Sequence, residues 1–115
     1  MTTNSEPLFD QSAALGNVGG NVAILQEIIS VYFEECPGWL TQIRDGLATG
    51  EVNTARRAAH CLKGSLSIFG PNRARIVAQQ LETMIHEQNL PGAEEVARQL
   101  EQALNELRPA LEAVG

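Results

Sequence analysis

Residues 55–70 read Ala55-Arg56-Arg57-Ala58-Ala59-His60-Cys61-Leu62-Lys63-Gly64-Ser65-Leu66-Ser67-Ile68-Phe69-Gly70. At about 100° per residue, Ala55, Ala58, Ala59, Leu62, Leu66 and Phe69 share one apolar stripe with the i, i+3, i+4, i+7 spacing of a core-facing helix. His60 lies on the opposite side, and Arg56, Arg57, Lys63, Gly64 and Ser67 are its neighbours one turn away. The stretch is therefore predicted as one helix with its histidine facing water among cations. Gly64 departs from the good helix formers around it. Glycine inside a helix costs roughly 1 kcal/mol relative to alanine, and no local turn needs it. A bare backbone beside His60 points to a surface kept low for contact with something outside the chain.

The charge distribution agrees with that reading. Of the 8 basic residues in the chain, Arg56, Arg57, Lys63, Arg73 and Arg75 lie between Val52 and Leu81, a span without a single Asp or Glu. All 14 acidic residues lie elsewhere, and the net charge is −6. A basic island in an acidic body suits an anionic group or an acidic partner surface. Nucleic acid is excluded as a partner, because its binders need a basic footprint over much of one face.

With 115 residues the chain is long enough for one core and too short for two. Helix formers dominate and alternating β-branched runs are missing, which predicts an all-α protein. Residues 1–6 read as a flexible lead-in and residues 7–115 as one domain. No apolar run approaches the roughly 18 to 20 residues that cross a bilayer. The start, Met1 to Glu6, lacks the basic and apolar regions of a signal peptide. These features predict a cytoplasmic protein without membrane association, in which Cys36 and Cys61 stay reduced.

Working outward, Pro7 to Leu15 reads as a short helix with Pro7 near its first turn, and Gly16-Asn17-Val18-Gly19-Gly20 as a turn. Asn21 is placed to cap a long helix. Along it Leu25, Ile29, Tyr32, Cys36, Trp39, Ile43 and Leu47 form a core seam widened by Ile28, Phe33 and Leu40. Pro37-Gly38 predicts a kink joining two segments, with the second ending at Ala48. Glu51 to Ser67 is the His60 helix, and Gly70-Pro71 the turn after it. A helix from about Asn72 to Gln88 aligns Ala74, Val77, Ala78, Leu81, Met84 and Ile85. Asn89 to Gly92 reads as a turn. A last helix carries Ala93, Ala97, Leu100, Leu104, Leu107, Leu111 and Val114 in steps of four and three, with Pro109 kinking it or ending it early. Four amphipathic helices with short connections predict an antiparallel up-down-up-down four-helix bundle with a short extra N-terminal helix.

The segment Ala59-His60-Cys61-Leu62-Lys63-Gly64-Ser65, followed by Gly70 and by Leu81-Glu82 a helix later, resembles the signature of histidine-containing phosphotransfer (HPt) domains of bacterial multistep phosphorelays. Phe9-Asp10, Gly19-Gly20, Phe33 and Pro37 also stand where such domains carry them. The resemblance implies a phosphoryl carrier rather than an ATP-dependent kinase. His60 would accept a phosphoryl group from the aspartyl phosphate of a response-regulator receiver domain and pass it to a second receiver aspartate. The implied partners are such receivers and a hybrid sensor histidine kinase that contains one. No cofactor is bound by this chain in that scheme, and Mg²⁺ arrives in the receiver's acidic pocket. The expected state is a monomer.

An imidazole of ordinary pKa near 6.5 is mostly neutral at pH 7 and available as a nucleophile. Its outer nitrogen, Nε2, is the expected attacking atom. Lys63 lies one turn along the same face to pair with the phosphoryl group, and Gly64 gives the receiver room. Cys61, Ser67 and Ile68 on the same face, and Ile76 on the following helix, are candidate docking contacts. Arg56, Arg57, Arg73 and Arg75 would steer an acidic partner, chiefly through on-rate. Some members of the family use the neighbourhood of Glu82 to hold the histidine ring, which makes Glu82 a candidate for orienting His60 through Nδ1. His86, four residues after Glu82, reads as an exposed ion-pair partner worth little. Trp39 and Met84 read as core.

Two rival functions remain at this level. A metal or haem bundle built on His60, Cys61 and His86 conflicts with the outward placement of both histidines, since bundle cofactor sites project inward, and no metal ligands are assigned. A helical interaction module that binds a response regulator without phosphotransfer differs from a carrier only in whether His60 takes a phosphoryl group.

Overall fold

A computed structural model describes residues 9–114 as five helices and no strand. They are α1 (Gln11–Gly16), α2 (Val22–Thr49), α3 (Val52–Ser67), α4 (Arg73–His86) and α5 (Leu90–Glu112). Helices α2 to α5 pack in a ring, each on its neighbours in sequence and α5 back on α2, while the diagonal pairs do not approach. That is the connectivity of an up-and-down bundle whose short links join antiparallel neighbours. The stripe of residues 55–69 behaves as its spacing dictates. Ala55, Ala58, Ala59, Leu62, Leu66 and Phe69 are all buried, and His60 is exposed.

Side-chain caps set most helix starts. Asn21 Oδ1 accepts from the Ile24 amide at 3.1 Å, satisfying one of the donors a helix start leaves unpaired. Helix α1 begins at Gln11, because Asp10 Oδ1 accepts from the Ala13 amide at 3.2 Å and takes the capping position. Phe9 and Asp10, expected inside this helix, therefore precede it, and the expected start at Pro7 and lead-in 1–6 lie outside the described residues. Helix α1 closes the end of the bundle where α3 finishes. The Phe9 ring meets Phe69 edge to face at 6.4 Å, Phe69 meets Tyr32 in the same way at 5.4 Å, and Asn17 Nδ2 donates to the Ile68 carbonyl at 2.9 Å.

Both interior prolines are carried within continuous helices. Pro37 lies inside α2, which is one helix rather than two segments. Proline removes the amide that would serve the Phe33 carbonyl. However, Tyr32 and Cys36 before it and Ile43 and Leu47 after it are all buried, so packing holds both halves in one register while Pro37 and Gly38 face solvent. Likewise α5 runs through Pro109 to Glu112, with Leu107 and Leu111 buried on either side. Leu90, Pro91 and Gly92 are the first turn of α5 rather than a free turn, because Asn89 Oδ1 accepts from the Gly92 amide at 3.2 Å. Trp39 and Met84 are half-buried at the edge of the core instead of inside it.

Two glycines allow close approaches. A Cβ on Gly46 would sit 2.8 Å from the Glu51 carbonyl oxygen and 3.0 Å from the Ala55 Cβ, so its absence lets α2 and α3 close into a hairpin. Gly70 takes φ +79°, and a Cβ there would lie 2.8 Å from the Ala13 Cβ. Its left-handed backbone ends α3 where α1 packs down. Asn72, buried to 1% exposure, fastens the next corner. Its Nδ2 donates to the carbonyls of Leu66 (3.1 Å) and Gly70 (2.8 Å), and its Oδ1 accepts from the Arg75 amide at 2.8 Å. This one side chain fixes α4 against α3, and so sets which residues of the two helices face each other.

Candidate functional site

The register fixed at that corner places Glu82 of α4 opposite His60 of α3. Nδ1 of His60 lies 2.9 Å from Glu82 Oε2. A carboxylate only accepts hydrogen bonds, so Nδ1 carries the proton. In the neutral ring Nε2 is then left with its lone pair. The imidazole side chain is 64% exposed, so that nitrogen is open to a reagent from solvent. Glu82 is only 18% exposed, and its other oxygen, Oε1, lies 2.9 Å from the Lys63 ammonium, whose side chain is 22% exposed. The ammonium approaches off the hydrogen-bonding direction, and Oε1 is buried with no aligned donor. Burial would push the Glu82 carboxyl up. The contact with Lys63 and the bond from His60 outweigh that and hold it below the ordinary value of 4.5.

Glu82 thus bridges the histidine and the lysine. The span from Val52 to Leu81 lacks acids in sequence, and α4 brings to Nδ1 the carboxylate named as its candidate partner. Glu82 also turns toward α3, so the ion pair expected between it and His86 does not form. Lys63 lies partly under the surface, already paired.

The remaining candidates fall on two flanks of His60. On the α4 flank, Ser67 Oγ donates to the Lys63 carbonyl at 2.9 Å and accepts from Arg75 Nε at 3.0 Å. Arg73 leans toward α5, where it lies 3.7 Å from Glu106. Ile76 is exposed. Arg56 and Arg57 are exposed and make no ion pair among the described residues, which leaves them available to an anionic partner. On the α2 flank, Cys61 is an exposed free thiol and Ile68 is half-buried. Burial instead pushes the Cys36 thiol up, away from reactivity. A Cβ built on Gly64 meets nothing within 4 Å, so nothing inside the chain requires glycine there.

Beyond Gly64 and Cys61 lies a surface the sequence did not single out. A shallow, mainly apolar cavity of about 350 Å³ is lined by Ile24, Glu27, Ile28, Val31, Tyr32 and Trp39 of α2 with Ser65 and Ile68 of α3. Ile24 is 44% and Val31 52% exposed. The signal was present in α2, where Ile24, Ile28 and Val31 repeat at i, i+4, i+7 on a face beside the buried seam. His60 therefore stands between an apolar flank and a charged one. A second half-open cavity, about 330 Å³, lies between α2 and α5 around Leu40, Leu47 and Ala97 and includes none of these residues. Among the described residues no group of three or more His, Cys, Asp or Glu side chains is placed to hold a metal ion, and no helix is long and apolar enough to cross a membrane.

Comparison with protein families finds a match to the Hpt domain over residues 27–110. The chain belongs to the Hpt domain family. Hpt domains are phosphocarriers rather than kinases and interact with receiver domains, and membership supports a role in histidine phosphotransfer in phosphorelays. Comparison with curated proteins and with solved structures found no match.

Proposed function

We propose that His60 is the phosphoacceptor, taking a phosphoryl group from the aspartyl phosphate of one receiver and giving it to the aspartate of a second. The observation that carries this is the pair of environments on one ring: Nδ1 bonded to Glu82 at 2.9 Å and Nε2 facing solvent. Nε2 attacks phosphorus, the acyl P–O bond breaks, and its electron pair leaves with the receiver's carboxylate. The Nδ1 proton stays in place, so the ring becomes a phosphorylated imidazolium beside the Glu82 carboxylate. In the return step the leaving group is a neutral imidazole. Such transfer depends mainly on positioning and charge neutralisation. Glu82 is a positioning residue that fixes tautomer and ring angle, and Lys63 supplies positive charge near the phosphoryl oxygens.

The receiver docks over Gly64, with its apolar surface on the α2 flank. Arg56, Arg57 and Arg75 attract its acidic rim, an effect on association rate that salt screens. Ile76 and Arg73 lie at the outer edge of that contact. The Mg²⁺ that neutralises the phosphoryl group in the receiver stays with the receiver's carboxylates, and the chain acts as a monomer in the cytoplasm.

The test is to charge a receiver with a small phosphodonor and mix it with the protein. Acid-labile label moves to the wild-type chain and does not move to His60→Gln. Label that moves equally to the variant contradicts the assignment. A chain that binds the receiver without taking label is an interaction module.

A further inference from the structure

The Lys63 ammonium stands next to the reacting ring, yet it is already engaged, and the way it is engaged has a consequence for the phosphorylated state. Glu82 uses both oxygens, Oε2 for His60 Nδ1 and Oε1 for Lys63, each at 2.9 Å. The first contact is a hydrogen bond. The second is a charge contact without hydrogen-bond alignment, and it is the only countercharge on a buried oxygen. A phosphoryl group on Nε2 places a second and larger negative charge within reach of the same ammonium, whose flexible four-carbon stem starts one helical turn from His60.

We propose that Lys63 is a two-position cation, held by Glu82 Oε1 while His60 is free and drawn to the phosphoryl oxygens once Nε2 is phosphorylated. Glu82 thereby limits how tightly the phosphoryl group is held. This rests on the reading of His60 as phosphoacceptor. The exchange makes and breaks no covalent bond: the Nε2–P bond forms as the donor's bond to phosphorus breaks, Nδ1 keeps its proton, and the ammonium changes partner. Its departure takes the countercharge away from Oε1, an oxygen shielded from solvent while Lys63 is in place, and a half-buried carboxylate that loses its partner charge is destabilised. That cost is subtracted from the attraction between Lys63 and phosphate. A lysine with no prior partner would stabilise the phosphohistidine in full and slow its release. A carrier that must both take and give the group is better served by a contested cation.

The protein is charged with phosphoramidate, which needs no receiver, and two measurements follow. The first is the ¹⁵N resonance of the Lys63 ammonium before and after charging, which moves if the lysine changes partner. The second is the half-life of the phosphoryl group in wild type, Glu82→Gln, Lys63→Gln and the double variant. Glutamine keeps a carbonyl to accept the Nδ1 proton but carries no charge to hold Lys63. The Glu82→Gln change is expected to lengthen the half-life by about threefold more when Lys63 is present than when it is glutamine, a coupling typical of charged neighbours. An unmoved Lys63 resonance, or the same effect of Glu82→Gln in both backgrounds, overturns the exchange and leaves the phosphoacceptor standing. A wild-type protein that takes no acid-labile phosphoryl group overturns both.

Discussion

Gly64 offers a test in which stability and function move in opposite directions. It lies in the middle of α3, it is exposed, and a Cβ there meets nothing within 4 Å. The only intramolecular effect of Gly64→Ala is then the gain in helix propensity, about 1 kcal/mol. For a chain of this size that corresponds to a rise in Tm of about 3 to 6 °C. Gly64→Gln gains nearly as much, since glutamine is also a good helix former, but it adds a side chain one turn from His60 on the surface that the receiver must cover. Forcing that bulk into a docked interface costs about 1 to 3 kcal/mol, which slows transfer from a phosphorylated receiver on the order of tenfold. Charging by a small phosphodonor is retained, because nothing large has to approach. Thermal or urea unfolding and receiver-to-protein transfer rates measure the two effects. Destabilisation by Gly64→Ala would show that the helix needs glycine for its own packing. A Gly64→Gln protein that accepts from the receiver at the wild-type rate would refute the docking geometry.

Three further outcomes are expected. Asn72→Ala removes the cap of α4 and the donor to the Leu66 and Gly70 carbonyls, so unfolding free energy should fall by about 2 to 4 kcal/mol. A loss under about 1 kcal/mol in urea titrations contradicts the role given to that corner. Val31→Asp, at a position 52% exposed, should change stability by less than about 0.5 kcal/mol while weakening transfer from a receiver and sparing phosphoramidate charging. Unchanged receiver transfer would remove the α2 flank from the docking surface. Because the Glu82 carboxyl is held below its ordinary 4.5, its ionised form favours the folded state. That contribution is complete above the ordinary value and is lost as pH falls through the lowered folded one. The stability difference between wild type and Glu82→Gln should therefore shrink on acidification from about pH 6 to about pH 3. A difference constant across that range contradicts the lowered value.

The bundle was legible because its apolar residues keep one phase through each helix. The stripe from Ala55 to Phe69 and the seam from Leu25 to Leu47 specify which face is buried without reference to any neighbour. Neither Pro37 nor Pro109 ends its helix, because burial of Cys36, Ile43, Leu107 and Leu111 outweighs one missing hydrogen bond at each. Asn89 was read as part of a turn, although the same asparagine caps α5 and recruits Pro91 and Gly92 into its first turn.

At the site, His60, Lys63 and Gly64 could be placed from spacing alone, since all three lie on one helix. The state of Lys63 could not, because its partner comes from another helix 19 positions on, in a register fixed by Asn72. Charge counted along α3 gives His60 a cationic neighbourhood, and the one carboxylate that decides its tautomer, Glu82, was offered only by the family resemblance. The apolar flank was overlooked for a related reason: Ile24 and Val31 share a helix with a strong core seam that Ile28 widens, and only packing shows that those two lie outside it.

The most direct measurement is the position of the phosphoryl group on the protein after charging, read from ³¹P–¹⁵N coupling in protein labelled on its histidine rings. The account predicts a single acid-labile phosphoryl group on Nε2 of His60, with Nδ1 still protonated against Glu82. A group found on Nδ1, on His86, or in an acid-stable linkage elsewhere would contradict it.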